Sequence, residues 1–340
     1  MHEASDAGPL ARPILELSAA TLSGGKRLRA AFCYWGWRSV SPPPGGASVL
    51  PDEITAAAAS LEIFHAAALV HDDIIDNSDT RRGRPATHRA FESAHLGGGW
   101  TGDAEAYGRS SAILAGDLLV AWSDDLFEEG IDQIAPERAR AARRHYAEMR
   151  RDVTVGQYLD IAAETVPTPD REQLDLALLV ASFKSARYSV QQPLLIGATI
   201  GGARPDQYQA LRAFGHPVGM AFQLRDDVLG VFGDSAATGK PSGDDLREGK
   251  RTALIAFARQ AVPAPVRRTL DELVGDPDLE EGQVRMLQDV IRESGALARV
   301  EDLISSYARD ADRALSGVAL ENASVGALRD LARAAAHRTF

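Results

Sequence analysis

Residues 52–77 read DEITAAAASLEIFHAAALVHDDIIDN. Alanine, leucine and isoleucine return along this stretch at helical spacing, which predicts one long apolar helix, and it ends in three carboxylates, Asp72, Asp73 and Asp76. Asp72 and Asp76 are four apart, hence on one helix face. Like charges stacked there repel. A hard divalent cation such as Mg²⁺ removes that repulsion, because it takes oxygen ligands and is commonly shared between one or two carboxylates and the phosphates of a substrate. A lone DDxxD in an acidic protein fits a solvated helix end as well, so the choice rests on the remainder of the chain.

Outward from this stretch the pattern repeats. Alanine- and leucine-rich segments with helical spacing are separated by SPPPGGAS (41–48), LGGGWTGD (96–103), FGDSAATGKPSGD (232–244) and VPAP (262–265). Strand-like alternation is nearly absent. Helices are expected near 52–77, 107–129, 135–164, 170–201 and 205–232, followed by several shorter ones, with a kink at Pro193. Long helices with mixed apolar and small faces pack as a bundle that can hold ligands between facing helices. The expected fold is therefore all-α, a large helical bundle around a central cavity. No composition break, fixed-period repeat or low-complexity linker divides the chain, so 1–340 reads as a single domain.

Composition narrows the function. The chain has 340 residues, 45% of them hydrophobic, enough for an ample core. Its net charge of −11 repels a polyanion, and without a basic stripe it excludes nucleic acid as a partner. The single cysteine, Cys33, cannot form an intrachain disulfide, and the first residues, MHEASDAGPLARP, lack the regions of a signal peptide; a cytoplasmic protein is expected. Charges and glycines interrupt every apolar run before the roughly 18–20 residues that span a bilayer, so no integral membrane protein is expected.

A second acidic group stands about half a chain later, in Phe222-Gln223-Leu224-Arg225-Asp226-Asp227-Val228-Leu229-Gly230, again at the end of an apolar helix. Beside the first group runs Asp79-Thr80-Arg81-Arg82-Gly83-Arg84-Pro85; beside the second run Thr238-Gly239-Lys240-Pro241 and Lys250-Arg251-Thr252. Carboxylates alone repel a diphosphate, but metal ions bridging them to it, with arginine forks and lysine charges on its other oxygens, bind it well. Ordinary surface charge is the alternative for these loops. Gly24-Gly25-Lys26-Arg27-Leu28-Arg29 stands at a helix start, where exposed N–H groups and the helix dipole favour an anion. His65 lies two turns before Asp72 near the same face, placed either to donate to a second phosphate group or to serve as a core residue. Neither HExxH spacing nor a Cys–His cluster for zinc occurs.

The ordered series GGKRLR, FHAAALVHDDIID, DTRRGRP, AGDLL, GQYLD, FKSARYSV, FQLRDDVLG and TGKPSGDDLREGKRT resembles the trans-isoprenyl diphosphate synthase (polyprenyl synthetase) family over roughly 20–255, and most resembles its geranylgeranyl diphosphate synthases. The resemblance implies an all-α bundle, a homodimer, and Mg²⁺ ions bridging aspartates and diphosphate. On it, Asp72, Asp73 and Asp76 match the first metal motif and Asp226 and Asp227 the second, whose usual final aspartate is here Gly230. Asp160 and Asp244 match outer carboxylates that orient metal-bound water. Lys26, Arg29, His65 and Arg82 match the isopentenyl diphosphate site. Arg81, Lys184, Ser185, Gln157, Gln223, Lys240 and Lys250 match the surroundings of the allylic diphosphate.

The implied reaction is loss of diphosphate from a dimethylallyl, geranyl or farnesyl diphosphate, attack on the allylic cation by the double bond of isopentenyl diphosphate, and loss of a proton; no side-chain nucleophile is needed. Ala68 and Phe64 lie four and eight residues before Asp72, about 6 and 12 Å down the helix, and with the small Ala67 they point to a product longer than farnesyl, with Phe64 as its floor. Geranylgeranyl diphosphate is the expected product. Rival readings are a longer-chain synthase, a class I terpene cyclase, which needs no second diphosphate site, and a non-catalytic regulatory subunit, which would tend to lose an aspartate motif.

Overall fold

The computed structural model describes residues 8–41, 50–233 and 242–336. The chain forms two compact units, one of Met1–Ala31 with Val49–Ile134 and one of Phe32–Ser48 with Ala135–Phe340. Helix is the dominant structure in both, as the periodicity requires.

In the first unit, α1 (Arg12–Thr21) precedes α2 (Leu28–Val40), whose later turns belong to the second unit; α3 (Asp52–Ile75), β1 (Thr80–Arg81), β2 (Arg84–Pro85), α4 (Thr87–Gly97) and α5 (Ala104–Ile131) follow. Alanines dictate how α3 meets α5. Ala66, Ala67 and Val70 pack with Phe91 of α4 and with Ala112, Ala115 and Leu119 of α5 in one core cluster. A Cβ on Gly130 would crowd Ala56 of α3, and the Ser123 hydroxyl donates to the Ser60 carbonyl at 2.6 Å, so the two helices run close with their buried polar atoms satisfied. By length and composition α3 is apolar enough to cross a membrane, which corrects the expectation that charges interrupt every such run. Half of its most apolar window is buried inside the protein, as in a core helix.

The second unit holds α6 (Pro136–Thr165), α7 (Asp170–Val180), a π-helical stretch (Ala181–Gln191), α8 (Gln192–Ile200), α9 (Pro205–Phe232), α10 (Asp244–Glu248), α11 (Ala253–Ala261), α12 (Ala264–Leu273), α13 (Glu281–Glu293), α14 (Ala296–Ala314) and α15 (Asn322–Ala336). One extensive core gathers Leu224, Val228 and Val231 of α9, Leu254 and Phe257 of α11, Leu287 and Ile291 of α13, and Val300 and Ile304 of α14. Each such leucine or isoleucine contributes about 1.5–3 kcal/mol by leaving water.

The expected helix 170–201 is continuous but not uniform. Pro193 has no N–H to continue the helix ladder, and the eleven residues Ala181–Gln191 widen into π geometry just before it. Such stretches often mark functional positions, and this one carries FKSARYSV. Cys33 is fully buried, and burial pushes its thiol far above the ordinary range, so it is unreactive.

Candidate active site

In the first unit the basic loops converge on His65. The β1–β2 hairpin pairs Thr80 with Pro85 and Arg81 with Arg84, leaving Arg82 and Gly83 as a two-residue turn. Both have positive φ, 54° and 72°, the geometry of the tight hairpin turns that match strand twist. Glycine is favoured at 83 for that reason. The Arg82 guanidinium donates to the Ser23 carbonyl at 3.2 Å and lies where a Cβ on Gly25 would be, so the Gly24-Gly25 loop is shaped around it. Glu62 of α3 accepts from the Ala30 N–H at 3.0 Å and pairs with Arg27 at 3.6 Å. The N-terminus of α2, expected to present its N–H groups to a ligand, thus spends one of them on Glu62.

Burial, and then the charges of Arg29, Arg82, Arg81 and Arg27, hold His65 well below its ordinary pKa. Arg82 is itself lowered, by burial and by Arg27 and Arg81. Four guanidinium charges acting on one buried imidazole concentrate positive potential at this part of α3, a field that favours an anion.

At the end of α3, Arg81 Nε donates to Asp73 Oδ1 at 2.7 Å and its Nη2 contacts both Asp73 and Asp72, the latter at 3.6 Å. Even so, burial raises the Asp73 carboxyl above its ordinary value, the arginine only partly offsetting it. Asp76 closes the helix, its N–H donating to the Asp72 carbonyl at 2.8 Å. His71 turns to α5, where its Nε2 lies 3.2 Å from the Ile113 carbonyl and 3.5 Å from Asp117; a side chain on Gly116 would overlap its ring. The AGDLL motif is therefore the seat of His71, and it anchors the aspartate end of α3.

In the second unit, two glycines bring the functional side chains together. A Cβ on Gly156 of α6 would overlap the Lys184 backbone, and one on Gly219 of α9 would overlap that of Ala186, so both helices approach the π-helical stretch closely. Lys184 pairs with Asp160 of α6 at 2.6 Å. Ser185 donates to Gln223 of α9, which donates to Asp227 Oδ1 at 2.7 Å. Lys250 pairs with Asp245 at 3.1 Å and with Glu248 at 2.5 Å. Burial, then the charge of Asp245, pushes the Asp227 carboxyl up to about 8. Burial, then Asp160, likewise raises Glu164.

Gly230 explains itself here. A Cβ at this position would overlap the Asp245 carboxylate, which fills the place a side chain would start from. Left-handed glycines on either side of α10, Gly243 at φ 76° and Gly249 at φ 81°, seat the short helix that delivers Asp245.

The family model described as Polyprenyl synthetase matches residues 12–291, across both units. The chain belongs to the polyprenyl synthetase family. It is a prenyltransferase, a trans-isoprenyl diphosphate synthase. A solved geranylgeranyl pyrophosphate synthase of Corynebacterium glutamicum, complexed with isoprenyl diphosphate and magnesium, is 38% identical with TM-score 0.92, covering 99% of this chain and 94% of that one. Geranylfarnesyl diphosphate synthase of Aeropyrum pernix is 33% identical over 307 residues, 89% of this chain and 87% of that protein. Nonaprenyl diphosphate synthase of Mycobacterium tuberculosis is 29% identical over 295 residues, 86% of this chain and 77% of that protein.

Within this polyprenyl synthetase, then, the first unit brings together Arg29, His65, Arg81 and Arg82 with Asp72 and Asp73, and the second brings together Asp160, Lys184, Ser185, Gln223, Asp227 and Lys250. Lys26 is exposed in the loop beside Arg27, Gln157 is half-buried next to Gly156, and Asp226 is half-buried beside Asp227. Lys240 lies outside the described residues. Arg81, Lys184 and Lys250, expected on a diphosphate, pair with carboxylates in this structure. The charge of Asp245 acts on Asp227, and Asp244, the expected outer carboxylate, is its half-buried neighbour on the same short helix. Ala67 is fully buried in the contact with α5. Phe64 is buried and Ala68 half-buried. Sequence reasoning missed Glu62, Glu164 and Asp245; for Asp245 the signal was Gly230 itself.

Among the described residues no three carboxylate, imidazole or thiol groups form a complete metal cage. Mg²⁺ is usually held by one or two carboxylates together with substrate phosphates. The donor set fits: Asp73 and Asp227 are carboxylates whose ionisation burial and like charge oppose, and a divalent cation relieves both. An open cleft of about 1060 Å³ in the second unit, lined by Arg144, His145, Tyr208 and Arg212 among others, includes none of the expected site residues.

Proposed function

We propose that this prenyltransferase is a Mg²⁺-dependent synthase that joins isopentenyl diphosphate to an allylic diphosphate and stops at geranylgeranyl diphosphate. One observation supports the reading above the rest: the chain carries two differently built charged groups, arginines acting on His65 and paired aspartates near the ends of α3 and α9. His65 among four arginines is suited to a diphosphate held without metal. The crowded carboxylates at Asp72-Asp73 and Asp226-Asp227 are suited to one held through metal. A terpene cyclase needs only the second kind, and a regulatory subunit needs neither intact.

In this reading Lys26, Arg29, His65 and Arg82 hold isopentenyl diphosphate by direct hydrogen bonds, the neutral His65 giving one N–H. Asp72, Asp73, Asp76, Asp226 and Asp227 would hold Mg²⁺, with Asp160, Asp244 and the neighbouring Asp245 outside them. Mg²⁺, when bound, stabilises the charge that develops on the departing diphosphate. Arg81, Lys184 and Lys250, which rest on Asp73, Asp160 and Asp245, would bind oxygens of the allylic diphosphate; Gln223 and Ser185 keep Asp227 oriented. The allylic C–O bond breaks, the double bond of isopentenyl diphosphate forms the new C–C bond, and the proton leaves with the released diphosphate.

Product length rests on Phe64, below the half-buried Ala68, and on the likeness to a geranylgeranyl pyrophosphate synthase. The likeness to geranylfarnesyl and nonaprenyl synthases favours a second reading, a longer product. The family model crossing both units supports one polyprenyl synthetase domain over 1–340, and the exposed Ile113 and Leu114 of α5, 46% and 60% accessible, support the homodimer. Cytoplasmic location completes the proposal.

The test is incubation of purified protein with Mg²⁺, labelled isopentenyl diphosphate and, separately, dimethylallyl, geranyl and farnesyl diphosphates, with products resolved by length. A metal-dependent twenty-carbon product is expected, and Phe64→Ala is expected to lengthen it. A longer ladder from the wild type, or an unchanged length in the variant, overturns the Phe64 floor. No incorporation from any primer overturns the synthase.

A further inference from the structure

The second aspartate motif sits on a helix held from behind by the end of the chain. Arg225, next to Asp226, is 6% exposed. Its Nη1 and Nη2 donate to the two carboxylate oxygens of Glu301 at 2.6 Å each, and its Nε donates to the Ala336 carbonyl at 2.9 Å. Glu301 belongs to α14 and Ala336 is the last residue of α15. Both lie beyond residue 291, where the match to the family model ends.

The geometry has a specific mechanical meaning. A helix turns about 100° per residue, so Arg225 and Asp227 leave α9 on nearly opposite sides. Locking Arg225 with a bidentate fork on one helix and the carbonyl end of another sets both the rotation and the depth of α9 at this point. Bidentate arginine–carboxylate pairs impose direction as well as attraction, and the negative end of the α15 dipole favours the same guanidinium. On the far side, the carboxylate of Asp227 is thereby aimed at Gln223 and toward Asp245.

We propose that Arg225 and Glu301 are positioning residues, and that the C-terminal helices α14 and α15 act through them to set the aspartates of the second motif for metal and allylic diphosphate. The proposal rests on the synthase reading given above. Lysine at 225 keeps the charge but not the fork, and so does not replace it.

The test uses the full-length protein with Glu301→Gln, which keeps the volume and one acceptor, and Arg225→Lys. Expected are a roughly 10-fold rise in the Mg²⁺ concentration for half-maximal activity and in the KM for the allylic diphosphate, with the KM for isopentenyl diphosphate unchanged. Amide hydrogen exchange read in the same proteins is expected to quicken across 222–232 and not in α3 or α5. Unchanged metal and allylic dependence with an active wild type overturns the proposal and leaves the synthase reading intact. An equal fall in every kinetic parameter with exchange raised throughout reduces the contact to general stability and also overturns it. If the wild type is inactive the synthase reading fails, and the local exchange change alone decides whether the clamp exists: its absence removes the clamp as well.

Discussion

At the scale of single residues, the site is a set of opposed charges at rest. Arg81 lies on Asp73, Lys184 on Asp160 and Lys250 on Asp245. Pairing offsets much of the penalty for placing carboxylates in low dielectric, and on the proposed reading it keeps cations ready for a diphosphate. Gly230 is the most informative position in this arrangement. Since a Cβ there overlaps the Asp245 carboxylate, Gly230→Asp is expected to displace Asp245 rather than add a metal ligand. The expected outcome is a fall in kcat/KM for the allylic substrate of roughly 10-fold or more, the usual scale when a carboxylate around a metal is displaced, with a higher Mg²⁺ requirement. Steady-state kinetics at varied Mg²⁺ read it directly. An improved metal affinity in Gly230→Asp would mean that Asp245 is dispensable and that glycine is a plain deficit.

At the scale of elements, small residues decide which chemistry meets. Gly156 and Gly219 let α6 and α9 touch the backbone of the π-helical stretch, and Lys184, Ser185, Gln223 and Asp227 meet as a result. Gly156→Val is expected to push that stretch away, at about 1–3 kcal/mol of stability for the overpacking, and to lower turnover more than a neutral destabilisation of the same size. Thermal melting set beside kcat in Gly156→Val and in a distant core variant such as Ile291→Val separates the two effects; equal kcat at equal melting temperature would leave Gly156 a packing residue only. The helices themselves were legible in the sequence, because apolar spacing and Pro/Gly punctuation are local. Thus α3, α6 and α9 end within a few residues of expectation, while α5 begins at Ala104 rather than 107 because the Asp103 side chain accepts from the N–H groups of Glu105 and Ala106. The π widening was not legible, since local spacing does not distinguish it from α-helix; close approaches at Gly156 and Gly219 accompany it. Nor was the approach of Asp245 to Gly230, which depends on the rotation of a five-residue helix. Both aspartate motifs and their basic loops were readable as spacings; the resting partners of the cations were not, since they are non-local.

At the scale of the whole molecule, these local charges set how stability depends on pH. His65, His88, His145 and His216 all have pKa values lowered by burial. Below the ordinary histidine value of 6.5 the unfolded chain binds protons that the folded chain refuses, so stability rises with pH up to about that point. The Asp227 carboxyl runs the other way. Raised from 3.8 to about 8, it binds a proton more tightly folded than unfolded, so its contribution is complete below its unfolded value and is lost as pH rises through the folded one. The two trends oppose each other at mildly acidic pH, and above 6.5 the histidines fall silent. In the presence of a chelator the melting temperature is therefore expected to peak near pH 6.5 and to decline toward pH 8. Asp227→Asn, which cannot ionise, is expected to flatten the decline while leaving the acid limb unchanged. Mg²⁺ is expected to oppose the decline in the wild type, because a cation that binds the ionised carboxylates of the folded state stabilises it by mass action, and not in Asp227→Asn to the same degree. Melting curves at closely spaced pH values, with and without Mg²⁺, test all three. If the asparagine variant keeps the full decline between pH 6.5 and 8, the strain in the second aspartate motif lies elsewhere, and the burial of Asp227 against Asp245 is not what metal binding relieves.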